Sequence, residues 1–240
     1  MLGLGMTVDI IKIRLKGFTV YQKKSGTDYL KIVRDYKHGQ IIGQPLNSGN
    51  PQRSVAKIVV DGITYVIKCE KERDTRLEKR ISRFFSGPYY SQLLYRVTRA
   101  QHLGCDITND IYLVAEKVKY REALETWILA EYVEGTTLSE LKHINQYYDE
   151  IKGVINKLHS YDLASNDIHA ANFILTENGI KIIDLSDSGN LALCQANDAI
   201  ALQRFYGINL ELNSWAFQLV KLRNRMRQFL RQTKRKKISS

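Results

Sequence analysis

Four residues have types and spacing that suit chemistry: Lys68, Asp167, Asn172 and Asp184. Asp167 and Asn172 stand five apart in Asn166-Asp167-Ile168-His169-Ala170-Ala171-Asn172-Phe173-Ile174-Leu175, a polar loop that runs straight into an apolar strand. On such a loop a carboxylate and a carboxamide can face one centre. Asp184 is a second carboxylate, at the end of Ile182-Ile183. Lys68 closes the run Tyr65-Val66-Ile67-Lys68. Phosphoryl transfer from ATP asks for this set: a cation on the α- and β-phosphates, two oxygen ligands for Mg2+, and a carboxylate to orient the attacking hydroxyl. Singly, each residue has a commoner explanation. A D-x-x-x-x-N is mostly a capped turn, a strand-terminal Asp is usually a turn or cap residue, and a Lys after Val-Ile usually snorkels from an edge strand. In combination they are far more specific, because Lys68, Asp167, Asn172 and Asp184 fall in this order on elements that such chemistry would use.

The elements that must position them are readable. Residues 10–15, 29–33 and 55–60 are short, β-branched and partly alternating, and read as strands. Asp61-Gly62 predicts a tight hairpin turn into 64–68, since type I′ geometry needs positive φ at both central positions. Residues 90–102 predict a helix stopped by Gly104; 111–116 and 126–132 predict strands. Helices follow at 138–141, 147–158 and 196–205, interrupted by a strand pair, 173–175 and 181–183, turning at Glu177-Asn178-Gly179. Strands first and helices later predict an α+β chain: a β-rich nucleotide lobe over 1–134, a helical catalytic lobe over 135–212, and a basic tail over 213–240. Between the lobes, 127–135 is an apolar strand ending in acid and Gly, where the backbone of Glu131 and Val133 would meet an adenine edge; its plain alternative is a core strand leaving the sheet. Ser48, Gly49 and Asn50 lie between two strands where their N–H groups could cap phosphates, although one Gly is no G-x-G-x-x-G and an ordinary loop is nearly as good a reading. Glu78 is the candidate acid to pair with Lys68, since Gln92 occupies the later helix.

The charge is uneven. The net charge is +11, and 9 of the Lys and Arg residues lie beyond residue 212 with no acid among them, which leaves residues 1–212 close to neutral. Trp215, Leu219, Leu222, Met226, Phe229 and Leu230 recur at helical spacing between these cations. Two readings stand side by side: a helix packed by its apolar stripe, or one that meets an anionic lipid or glycolipid surface. Nucleic acid is not expected, because stacking aromatics are not interleaved with the cations. No run approaches a membrane span, and 1–10 carries no secretory leader. Cys69, Cys105 and Cys194 are odd in number and widely spaced, which fits a reducing compartment.

Over about 41–206 the chain has kinase-like features. More closely, Ser165-Asn166-Asp167-Ile168-His169-Ala170-Ala171-Asn172-Phe173-Ile174-Leu175 with Ile182-Ile183-Asp184-Leu185-Ser186, the short N-terminal lobe and the basic C-terminus resemble the lipopolysaccharide core heptose(II) kinases of Gram-negative bacteria. The resemblance implies a protein-kinase-like two-lobed fold and ATP and Mg2+ as cofactors. It implies phosphate transfer to a heptose of the lipopolysaccharide inner core, at the cytoplasmic side of the inner membrane. The departures from protein kinases are informative. Where H-R-D is usual, Ser165-Asn166-Asp167 stands, so the Arg that would pair with an activation-loop phosphate is missing and no phosphorylation switch is expected. His169 takes the place of a catalytic-loop Lys; it either donates to the γ-phosphate or merely holds the loop. D-F-G becomes Asp184-Leu185-Ser186, and only 13 residues lie between Asp184 and Asp198, a candidate for the buried aspartate that anchors the catalytic loop. So short a segment favours a small or glycolipid acceptor. The alternatives are a small atypical protein kinase and a non-catalytic, pseudokinase-like membrane scaffold; a scaffold has no physical need for all four of Lys68, Asp167, Asn172 and Asp184.

Overall fold

Alternating apolar residues in the first half of the chain build one antiparallel sheet. The structure, a computed structural model, describes residues 9–46, 53–71, 89–119, 122–186, 190–210 and 214–238. Its packing forms two compact units, Met1–Glu134 and Gly135–Ser240.

In the first unit the strands are β1 (Ile10–Leu15), β2 (Phe18–Lys23), β3 (Gln44–Leu46), β4 (Arg53–Val60), β5 (Ile63–Glu70), β6 (Ile111–Lys119) and β7 (Glu122–Glu131). They lie in the order β1-β2-β6-β7-β5-β4-β3. Asp61 and Gly62 have φ of 51° and 78° and join Val60 to its partner Ile63, the tight turn that the Asp-Gly pair predicts. Tyr65, Ile67 and Cys69 of β5 share a core with Leu113, Ala115, Trp127 and Leu129. Strand alternation therefore places Lys68 on the opposite face, in one cross-strand row with Ile128 and Val114.

Residues 29–33 are not a strand. They open helix α1 (Tyr29–Lys37), which lays Tyr29, Ile32 and Val33 on the same core as Tyr65 and Ile67. Asp28 decides this locally: its carboxylate accepts from the Lys31 N–H at 3.0 Å and caps the first turn. The spacing 29, 32, 33 is helical, whereas a strand would put 32 on the opposite face from 29 and 33; the strand expectation rested on the β-branched pair Ile32-Val33. Helix α2 (Tyr89–His102) packs along β6. Glu116 of β6, only 1% exposed, lies under the start of α2. Burial pushes its pKa up, against the pull of Ser91 and of the Tyr90 and Ser91 amides, and neither oxygen makes a hydrogen bond of ordinary geometry.

The second unit holds a small sheet, β10-β9-β8, from β8 (Thr136–Thr137), β9 (Phe173–Thr176) and β10 (Gly179–Ile182). Gly135 makes it possible: at φ +152°, a Cβ there would lie 2.3 Å from the Leu175 carbonyl oxygen. Helices α3 (Tyr148–Ser160), α4 (Leu191–Tyr206) and α5 (Trp215–Ile238) complete the unit. Ala216 and Val220 of α5 are buried against Ala196 of α4. The large apolar residues of the tail go the other way: Trp215, Leu219, Leu222 and Met226 are 50–64% exposed. The three cysteines are buried thiols outside any disulfide, and burial raises the Cys69 thiol to about 11.

Candidate active site

The loop at 165–172 alternates anchors with presented groups. Leu163, Ala164 and Ser165 are fully buried and Ile168 is nearly so, while Asp167 and His169 are exposed. The anchor beneath them is Asp198 of α4, also fully buried. Its Oδ2 accepts from the Ser165 N–H at 2.9 Å and contacts His159 Nε2 at 3.0 Å; its Oδ1 accepts from the Asn166 N–H at 2.6 Å. A buried carboxylate is tolerable only when so paired. Here that requirement ties α3 and α4 to the two residues before Asp167.

Backbone bonds then bring the other two candidates to Asp167. The Ile183 N–H donates to the Asn172 carbonyl at 2.8 Å, and the Ser186 N–H donates to the Ser165 carbonyl at 2.8 Å. Asp184 sits between these two ties, exposed, at φ +57°. Asn166 is left-handed as well, at φ +54°. Asn and Asp tolerate this region better than other side-chain-bearing residues. Leu185, which follows Asp184, is 5% exposed and anchors the segment in the core.

Asn172 ends a 3₁₀ turn, Ala170–Asn172. Its Nδ2 donates to the Asp167 carbonyl at 3.0 Å, which orients the amide and leaves Oδ1 for a cation. The Ile183 N–H bond to the Asn172 carbonyl sets the exposed Asp184 one residue beyond that tie, so its carboxylate is the second oxygen that could join in holding a cation. Among the described residues no group of three or more His, Cys, Asp or Glu could cage a metal. The pair therefore suits an ion that takes its remaining ligands from phosphate and water, as Mg2+ does. His169 caps the same 3₁₀ turn: its Nδ1 accepts from the Ala171 N–H at 3.2 Å. That bond assigns the proton of the neutral ring to Nε2, so holding the loop and offering a donor are compatible roles.

In the first unit, Lys68 is half-buried on β5, between β4 and β7. At the end of β7, the Glu131 N–H donates to the Asp110 carbonyl at 2.9 Å and its Oε2 accepts from the Asp110 N–H at 2.9 Å. The Glu131 amide is thus committed to Asp110. Val133 is 7% exposed, and among the described residues its N–H and C=O have no backbone partner. Ser48, Gly49, Asn50 and Glu78 lie outside the described residues.

Over residues 9–236 the sequence matches the family described as "Lipopolysaccharide core biosynthesis protein (WaaY)". The chain belongs to the WaaY family. One Escherichia coli relative, "Lipopolysaccharide core heptose(II) kinase WaaY", is 30% identical over 233 residues, spanning 95% of this chain and 99% of the relative. A second relative of that name, from Escherichia coli strain K12, is 28% identical over 228 residues, spanning 95% and 98%. Two features of this WaaY-family site had no signal in the sequence. One is the contact of His159 with Asp198. The other is an amide chain in which Asn197 Nδ2 donates to Asn166 Oδ1 at 2.8 Å. Both bonds join residues more than 30 apart along the chain, and no motif marks His159 or Asn197.

Proposed function

We propose that this chain is a kinase that transfers the γ-phosphate of ATP to a hydroxyl of a heptose in the lipopolysaccharide inner core. The observation that carries the mechanism is the loop in which Asp167, Asn172 and Asp184 are laced together by backbone bonds over a buried Asp198. Asp167 orients the sugar hydroxyl and accepts its proton late. Asn172 Oδ1 and the Asp184 carboxylate would hold Mg2+, which supplies charge neutralisation on the phosphates. Lys68 neutralises the α- and β-phosphates, and His169 Nε2–H donates to the γ-phosphate. The Val133 N–H and the Glu131 carbonyl take the adenine edge. Most of the acceleration is positioning and charge stabilisation, since a loose transition state needs little base strength. In this reading the two units are the lobes of a protein-kinase-like fold. Asn166, a neutral amide where a phosphate-reading Arg would stand, makes the site active without a phosphorylation switch.

The test is transfer in vitro. Purified protein with Mg·ATP should add one phosphate, seen by mass spectrometry, to a core glycolipid that lacks heptose phosphate. An unmodified glycolipid beside a labelled protein acceptor would instead establish a protein kinase.

The basic tail supports work at the cytoplasmic face of the inner membrane. Among the described residues no helix is long and apolar enough to cross a membrane. Helix α5 buries its small residues and exposes Trp215, Leu219, Leu222 and Met226 along one face, in a segment with no acid. This suits an in-plane seat at an anionic surface, apolar face down, with cations at the headgroups. Replacing Leu219 and Leu222 by Glu should weaken binding to anionic phosphatidylglycerol vesicles by about tenfold or more per site. Added salt should weaken binding of the parent protein. Equal vesicle sedimentation of parent and variant would make α5 a packing helix only.

A further inference from the structure

We propose that Arg223 and Asn197 are positioning residues for Asp167, acting through Asn166; the role rests on the kinase reading of the loop. Asn166 is held from three sides. Its N–H goes to Asp198, its Nδ2 donates to the Ser186 carbonyl at 3.1 Å, and its Oδ1 accepts from Asn197 Nδ2 at 2.8 Å. Asn197 Oδ1 in turn accepts from Arg223 Nη2 of α5 at 2.8 Å.

The chain of bonds has one permitted direction. The Ser186 carbonyl can only accept, so Asn166 must turn its NH2 toward it and present oxygen to Asn197. Asn197 must then donate with its NH2 and present oxygen outward. The group waiting there is a guanidinium, which can only donate. An acceptor at one end and a cation at the other thus set both amide orientations, and the cation polarises the bonds between. The inner end links Asn166, the residue before Asp167, to Ser186, two residues after Asp184. This is the alignment that phosphoryl transfer needs, and a surface arginine on the basic helix completes it. The Arg missing from the loop itself is thereby replaced by a permanent brace that needs no phosphate.

The discriminating variant is Asn197→Asp. It keeps a stronger acceptor for Arg223, so the α4–α5 contact becomes an ion pair, yet it removes the donor to Asn166. A contact that served only to pack the helices would leave turnover intact. The brace predicts that Asn197→Asp and Arg223→Gln each lower kcat by about tenfold, with KM for ATP little changed. Lys152→Gln, which removes a charge from the exposed side of α3, should behave as the parent. The double variant should lose no more than either single one, because both act through one chain of bonds. Hydrogen exchange on the full chain without substrate is the second readout. Both single variants should exchange faster over 165–169, with 150–158 unchanged. Parental kcat and parental exchange in Asn197→Asp would overturn the proposal. A parent protein that transfers no phosphate would sink the kinase reading alone, and exchange at 165–169 would still decide the brace.

Discussion

Asp167→Asn lowers turnover by about 10²–10⁴-fold while Mg·ATP affinity and the melting temperature stay near those of the parent. The loop does not depend on the Asp167 carboxylate. That side chain is exposed, and what holds Asn172 is the Asp167 backbone carbonyl, which the substitution keeps. An Asn can still touch the sugar hydroxyl, but it cannot take the proton, and it brings no negative charge to orient the O–H. Rapid-quench measurement of the chemical step, with a thermal-shift titration of Mg·ATP, separates the two quantities. Parental turnover in this variant would remove the base assignment.

Asp198→Asn produces the opposite pattern, in which stability and activity fall together. Both Asp198 oxygens accept, Oδ2 from Ser165 N and His159 and Oδ1 from Asn166 N. An Asn keeps one acceptor and turns an NH2 toward a backbone N–H, so one buried donor goes unpaired and faces another donor. The expected loss is about 1–3 kcal/mol of unfolding free energy. Turnover should fall as well, because the freed amide belongs to the residue next to the base or the one before it. Urea melts read the first effect and steady-state transfer reads the second. A variant with parental stability would mean that the loop is held elsewhere.

The candidate residues could be picked out of the sequence because they are local and differ in type from their surroundings. A polar loop that ends in an apolar strand, a carboxylate after Ile182-Ile183 and a Lys at the end of Tyr65-Val66-Ile67 stand out against core sequence. The Asp61-Gly62 turn was equally plain, since φ > 0 at both positions selects those residues. Residues 29–33 were misread because the β-branched pair Ile32-Val33 in a short apolar run weighs toward a strand, while the helical spacing 29, 32, 33 and the Asp28 cap just outside it point to a helix.

The amino-acid sequence by itself determined the order and types of the candidate groups, the α+β succession and the concentration of cations at one end, because these depend only on neighbours along the chain. The tertiary structure decided which groups are presented and which are anchors. Only packing shows that His159 joins Asp198 beneath the loop, that α5 buries its alanine and valine and exposes its leucines, and that Arg223 reaches Asn166 through Asn197. Those choices rest on burial and on donors meeting acceptors between segments more than 20 residues apart, for which a single sequence carries no local mark.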